Sequence, residues 1–152
     1  FANMNFITDQ NIKPRILLVE DNRGDIRLTQ EALKESNLQI HLDVVMDGEQ
    51  ALDFLLKKNQ YTDAISPHIV LLDLNLPKKT GFEVLKVVKA HDTLKKIPII
   101  LLTTSDAKHD IAKAYNLHVN CYILKPVDFE DFSKVVKLIE TYWFNTVQLS
   151  PV

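Results

Sequence analysis

The stretch Ile69-Val70-Leu71-Leu72-Asp73-Leu74-Asn75-Leu76-Pro77 decides the fold of this chain. Four apolar residues run directly into Asp73, and Pro77 follows four positions later. A short apolar run that ends at a polar residue and a proline is typical of a buried strand. Open α/β folds place their chemistry at the carboxyl ends of such strands. We therefore predict that Asp73 lies at the mouth of a sheet.

Four other segments have the pattern of strands. A helical pattern follows each of them, and one also follows the strand at 69–72. The four segments lie at residues 15–19, 40–44, 98–102 and 119–124. This alternation predicts a parallel sheet with helices on both faces. Right-handed crossovers leave few topologies. We assign an α/β, flavodoxin-like (βα)5 doubly wound sheet with strand order 2-1-3-4-5, because this order puts its switch point between the first and third strands of the chain, the two that end in carboxylates.

The composition is that of an ordinary globular domain, with 152 residues, 46% of them hydrophobic, and a net charge of −2. That charge gives no basic surface for nucleic acid, so we expect no direct nucleic-acid partner. No apolar run approaches the roughly 20 residues of a membrane span, and we expect no membrane contact. There is no signal-peptide pattern, and Cys121 is the single cysteine, which fits a reducing compartment. A cytoplasmic location is therefore expected.

Polar residues that suit phosphoryl chemistry end four of the five predicted strands. They are Glu20 and Asp21 after the first, Asp73 after the third, Thr103 at the end of the fourth and Lys125 after the fifth. Three carboxylates that meet in a small space repel one another, and a divalent cation removes that repulsion. A lysine and a hydroxyl can bind phosphoryl oxygens. The set favours phosphoryl transfer to Asp73, with its carboxylate as the nucleophile.

Each of these residues is weak evidence on its own. An aspartate or a threonine at a strand end is more often a simple cap, and a lysine before a proline is more often a solvated strand end. Together they favour this chemistry, because they stand at the carboxyl ends of four apolar strands in one chain.

The chain resembles the receiver domains of two-component response regulators. The matching blocks are Leu18-Val19-Glu20-Asp21-Asn22, Asp73-Leu74-Asn75-Leu76-Pro77 with Gly81, Leu102-Thr103-Thr104, and Tyr122-Ile123-Leu124-Lys125-Pro126. Segments 22–28 and 118–122 are most similar to the single-domain regulators that partner cyanobacterial and bacterial phytochromes. The resemblance implies that the partner is a sensor histidine kinase, and more narrowly a phytochrome.

The resemblance also implies a role for each matching residue. Asp73 would accept the phosphoryl group from a kinase histidine. Mg²⁺, or Mn²⁺ in its place, would be held by Glu20, Asp21, Asp73 and the backbone carbonyl of Asn75.

The remaining matching residues would form the phosphoryl-binding and switch groups. Lys125 would pair with the phosphoacceptor and later with the phosphoryl group, and the Lys125–Pro126 bond would be cis. Thr103 would swing to bond a phosphoryl oxygen, and Tyr122 would turn inward behind it. Thr103 and Tyr122 together would thus be the switch.

One position departs from the family pattern beside the site. Thr104 stands where the family often has alanine or glycine, which leave room for phosphoryl access. We expect its extra atoms to slow phosphorylation or dephosphorylation, and we assign Asn75 and Ser105 to the same group of residues that control access and rate.

The end of the last helix carries three consecutive aromatic residues. Adjacent helical residues point about 100° apart, so Tyr142, Trp143 and Phe144 cannot all face one core. Either the tail of the chain covers them or a partner does. We predict a homodimer formed by the last helix and its neighbours, 106–116 and 119–124, with Phe132 and Val136 joining these aromatic residues in the interface.

The domain boundaries follow from these assignments. Residues 1–13 are an N-terminal extension, 14–141 the receiver domain, and 142–152 an aromatic C-terminal extension. The residues after 141 are too few for a DNA-binding module, so we predict a regulator without an output domain that acts through protein contacts. It would not be an enzyme, but a phosphoacceptor that assists its own phosphorylation and dephosphorylation.

Two other functions remain open from the residues alone. One is a receiver-like interaction domain that is never phosphorylated, although the intact set of five polar residues argues against it. The other is a phosphatase or dehalogenase with an aspartate nucleophile. Such enzymes generally use a second acid two positions later, and Asn75 stands there.

Overall fold

The structure is a computed structural model that describes residues 13–151. Except for Lys13, the predicted N-terminal extension lies outside the described residues. The elements in chain order are β1 (Arg15–Val19), α1 (Arg23–Lys34), β2 (His41–Val45), α2 (Gly48–Leu56), β3 (Ile69–Leu72), α3 (Gly81–Ala90), β4 (Ile99–Thr103), α4 (Lys108–Asn116), β5 (Cys121–Leu124) and α5 (Phe129–Glu140), with 3₁₀ turns at Asn59–Tyr61 and Leu94–Lys96 and a π-helix at Thr141–Thr146.

The five strands form one parallel sheet in the order β2-β1-β3-β4-β5, which confirms the predicted fold class. β1 lies between β2 and β3, where Val19 pairs with both Val45 and Leu72. Because Val19 and Leu72 are the last residues of their strands, Glu20 and Asp73 leave the sheet side by side. The same edge receives the ends of β4 and β5, where Thr103 pairs with Leu124.

The sheet is covered on both faces, and each face has its own core. Helices α2, α3 and α4 pack against alternate residues such as Leu17 and Leu72. Helices α1 and α5 pack against the intervening residues, such as Leu18 and Leu71. Every residue of β3 is buried, as expected for a central parallel strand whose sequence is apolar throughout. Within residues 13–151, no helix combines the length and apolar character that crossing a membrane requires.

The helices begin at the same edge of the sheet that carries the strand ends. Asn22 caps α1 by accepting a hydrogen bond from the backbone N–H of Asp25 at 2.9 Å. Thr80 and Glu83 form a capping box at the start of α3. These caps satisfy backbone donors that would otherwise lack partners, and they fix where each helix starts relative to its strand.

The burial of residues in the last helix and its aromatic end differs from the predicted interface. Phe132, Val136 and Phe144 are 2%, 2% and 0% exposed, so they are wrong as interface residues. The π-helix has wider turns than an α-helix, and it directs Phe144 into the core, edge-on to His68 with 6.4 Å between ring centroids. Tyr142 stays 53% exposed. Tail packing therefore accounts for Phe144, and the predicted homodimer itself stays a prediction.

We predict that Gly81→Ala lowers the free energy of unfolding by at least about 2 kcal/mol. A Cβ atom at Gly81 would lie 2.3 Å from the backbone carbonyl oxygen of Asp73, which cannot move without shifting the site. The matched control is Gly24→Ala, where the nearest atom is a side-chain oxygen of Asn22 at 3.1 Å. The control should change stability by less than about 1 kcal/mol. Urea unfolding followed by circular dichroism measures both, and equal effects would contradict the prediction.

Candidate functional site

Asp73 is buried at the end of β3, and both oxygens of its carboxylate have defined neighbours. Its Oδ1 accepts a hydrogen bond from the backbone N–H of Leu74 at 2.8 Å, and its Oδ2 lies 3.4 Å from Nζ of Lys125. Its own N–H donates to the carbonyl of Val19 at 3.1 Å, which ties it to the end of β1. The carboxylate is therefore held in one orientation, with one oxygen turned toward a cation.

Glu20, Asp21 and Asp73 form an acidic cluster. One oxygen from each carboxylate lies within 4.8 Å of those of the other two. Glu20 and Asp73 are buried, and Asp21 is exposed. Burial raises the pKa of Glu20 to about 7, and the charge of Asp73 adds to this effect, although a hydrogen bond from Lys125 opposes it. The negative charges are thus crowded, as the sequence analysis predicts.

The acidic cluster fits a divalent metal ion. All its ligand atoms are carboxylate oxygens, which suit hard cations such as Mg²⁺ and Mn²⁺, and the exposed Asp21 leaves one side open for further oxygen ligands. A bound divalent cation would supply the positive charge that lets all three carboxylates stay ionised. Asn75 is exposed in the loop beside this cluster, and the role of its backbone carbonyl stays a prediction.

Lys125 brings its ammonium group to the acidic cluster from β5. Its Nζ donates to Oε1 of Glu20 at 2.5 Å, to Oδ2 of Asp25 at 2.8 Å and to Oδ2 of Asp73 at 3.4 Å. Burial alone would lower the pKa of Lys125, but the hydrogen bonds to Asp25 and Glu20 outweigh it and hold this pKa above its ordinary value. The lysine is therefore a charged partner of the carboxylates at neutral pH.

The expected cis bond between Lys125 and Pro126 is wrong, since every peptide bond from residue 13 to residue 151 is trans. The lysine is placed instead by its own backbone, whose N–H donates to the carbonyl of Thr103 at 2.8 Å. This bond continues the pairing of β4 and β5 and needs no unusual turn.

Asp25 is a site residue that the sequence analysis missed. It lies in the first turn of α1, three residues after the cap Asn22, and it is the second closest partner of Lys125. The signal was present in the sequence, because a helix that starts at the end of β1 must place its first turn beside the strand ends.

Thr103 and Tyr122 are joined through the loop that follows β4. Thr103 is fully buried, and its hydroxyl oxygen lies 3.5 Å from the backbone nitrogen of Ser105. The hydroxyl of Tyr122 donates to the carbonyl of Ser105 at 2.8 Å, and the hydroxyl of Ser105 donates to Asp110 at 2.6 Å. Among the described residues, no hydrogen bond links Thr103 to the acidic cluster. Its role as a switch, and that of the exposed Thr104 in access, stay predictions.

Comparison with known proteins gives consistent matches. A family model described as the response regulator receiver domain matches residues 16–137. The response regulator Rcp1 of Synechocystis sp. is 44% identical over 144 residues, which are 94% of this chain and 98% of that protein. Two solved structures match over 91% of this chain and 99% of theirs, each with 45% identity: a phosphorylated cyanobacterial phytochrome response regulator, RcpA, with a TM-score of 0.89, and the Mn²⁺-bound form of Rcp1, with a TM-score of 0.87.

We predict that Asp73→Asn stabilises the protein in metal-free buffer and weakens its response to Mg²⁺. Removing one of three crowded charges should raise the melting temperature by a few degrees, which corresponds to about 1 kcal/mol for a domain of this size. Mg²⁺ should then raise the melting temperature of the wild type much more than that of the variant.

The control for this pair of measurements is Asp92→Asn, because the side chain of Asp92 is 99% exposed and lies between α3 and β4, at the edge of the sheet opposite the carboxyl ends of the strands. It should leave the metal-free melting temperature and the Mg²⁺ response unchanged. A destabilised Asp73→Asn variant, or one with the full Mg²⁺ response, would contradict the assignment of a metal site.

Proposed function

This chain belongs to the response regulator receiver domain family, and we propose that it accepts a phosphoryl group on Asp73 from a histidine of a sensor kinase. The observation that carries the proposal is the setting of the Asp73 carboxylate. One oxygen is fixed by the N–H of Leu74, the other faces Lys125 at 3.4 Å, and Glu20 and Asp21 stand beside it. This is the arrangement that a nucleophilic carboxylate needs for transfer of a phosphoryl group.

In the proposed reaction, the carboxylate oxygen of Asp73 attacks the phosphorus atom. The bond between phosphorus and the imidazole nitrogen of the kinase breaks, and that nitrogen keeps the electron pair. Lys125 neutralises charge on an oxygen of the transferred group, while the N–H of Leu74 keeps the carboxylate oriented. Glu20, Asp21 and Asp73 would hold Mg²⁺, which would supply further positive charge. The chain is thus a phosphoacceptor and not an enzyme acting on another substrate.

We propose that the kinase is a phytochrome. We also propose that the protein is located in the cytoplasm. Support for the kinase comes from the relatives, since RcpA is described as a cyanobacterial phytochrome response regulator. The residues after Lys125 provide an apolar surface beside the site on which a kinase could dock, because Val127 is fully exposed and Phe129 is 52% exposed. The single cysteine, Cys121, is compatible with a reducing compartment.

The experiment is incubation with acetyl phosphate and Mg²⁺, followed by intact-mass measurement. The wild type should gain about 80 Da, the mass of one phosphoryl group, and the adduct should be labile in acid. Asp73→Asn should gain nothing, and Asp92→Asn should behave like the wild type. A wild type without an adduct would refute the proposal.

We propose that phosphorylation changes the face formed by α4, β5 and α5, and that a second copy of the chain binds to this face. β5 is an edge strand, and β5, α4, α5 and the π-helix after α5 each carry an exposed apolar side chain. These side chains are Tyr115, Leu124, Leu138 and Tyr142, which are 51%, 48%, 67% and 53% exposed. Tyr122 lies in the same strand and contacts the loop after Thr103, so a change at the site has a short route to this face.

We predict that the protein forms a dimer and that Leu138→Glu disrupts it, because a charge in an apolar interface would lose its hydration. Ile65→Glu is the control, since Ile65 is 55% exposed but lies in the loop before β3. Size-exclusion chromatography with light scattering, on phosphorylated and unphosphorylated samples at tens of micromolar, measures the mass. A monomer in both states would contradict the prediction.

A further inference from the structure

Three carboxylates hold the ammonium group of Lys125, and they are not equivalent. Glu20 and Asp73 belong to the acidic cluster that fits a metal ion. Asp25, at 2.8 Å from Nζ, lies outside that cluster. A cation and a phosphoryl group would compete with Lys125 for oxygens of Glu20 and Asp73, whereas the carboxylate of Asp25 would not take part in that competition.

We propose that Asp25 is a positioning residue that keeps the ammonium group of Lys125 in place during phosphoryl transfer. The inference rests on the function proposed above. An ammonium group has three N–H donors, so one can stay on Asp25 while another turns to a phosphoryl oxygen. Lysine has a long flexible side chain, and without an anchor it would sample many orientations away from Asp73.

Asp25 is itself well fixed for this role. It stands in the first turn of α1, whose start is set by the hydrogen bond from its own N–H to the side chain of Asn22 at 2.9 Å. The hydroxyl of Thr29 donates to its backbone carbonyl at 2.9 Å, and its side chain is only 26% exposed. The anchor is therefore carried by a helix packed against the sheet and not by a loop.

A purely structural role for Asp25 is the main alternative, because a negative charge in the first turn of a helix is favourable in any protein. That role predicts a loss of stability that does not depend on Lys125. The positioning role predicts an effect on phosphoryl transfer that requires Lys125. The two can be separated by combining variants at both positions.

The test measures the initial rate of phosphorylation by acetyl phosphate at saturating Mg²⁺. Asp25→Asn should lower the rate by about tenfold, as expected for loss of a positioning contact, and Asp25→Glu should recover part of it. Glu31→Gln removes the same charge from the same helix, where Glu31 pairs only with exposed side chains, and it should leave the rate unchanged.

The double variant decides between the two roles. In a Lys125→Ala background, Asp25→Asn should cause no further loss of rate, since the residue acts through the lysine. An unchanged or faster rate in Asp25→Asn alone, an equal loss in Glu31→Gln, or a full further loss in the Lys125→Ala background would each overturn the inference. If the wild type forms an adduct and only these comparisons fail, the proposed function stands. A wild type without any adduct overturns both.

A second measurement reports on the lysine directly. The ¹⁵N-labelled ammonium group of Lys125 should give a resolved NMR signal with Mg²⁺ present in the wild type and in Glu31→Gln, because a held ammonium group exchanges its protons slowly. The signal should broaden in Asp25→Asn, because the lysine loses the charge of one of its three carboxylate partners. An unchanged signal in Asp25→Asn would overturn the inference.

Discussion

The site depends on one interaction, the sharing of the Lys125 ammonium group among Glu20, Asp25 and Asp73. The side chain of Lys125 is only 7% exposed, so its buried charge needs nearby carboxylates, and in turn it offsets part of their mutual repulsion. The contacts join β5, the end of β1, the first turn of α1 and the end of β3. The lysine thus connects four parts of the fold at the point where the chemistry is proposed.

The parallel sheet makes that interaction possible. Because Val19 pairs with Leu72, the acidic residues that follow β1 and β3 emerge at the same level. The bond from the N–H of Lys125 to the carbonyl of Thr103 sets the lysine at the same edge. The loop after Thr103 then reaches Tyr122 on β5. The proposed site and the proposed output face are therefore separated by a single loop that both can influence.

Most of the fold and much of the site could be predicted from the sequence because they depend on local patterns. The apolar runs mark buried strands, and the polar residues directly after them mark the carboxyl edge of the sheet. Asp25 was missed because its contact with Lys125 spans 100 positions and depends on where α1 starts. Phe144 was placed wrongly because a π-helix changes the direction of a side chain without a clear signal in the apolar pattern. The dimer depends on contacts that the single chain does not contain. The dimer and the domain boundaries stay predictions.

We propose that Asp73, and no other acidic residue of the site, is the nucleophile. Reductive cleavage with borohydride after treatment with acetyl phosphate and Mg²⁺ tests it most directly, because it converts an aspartyl phosphate to homoserine and marks the residue that carried the phosphoryl group. Peptide mass spectrometry should find homoserine at position 73, with Glu20, Asp21 and Asp25 unmodified. A reduced residue at any of those three positions, with Asp73 intact, would contradict the account.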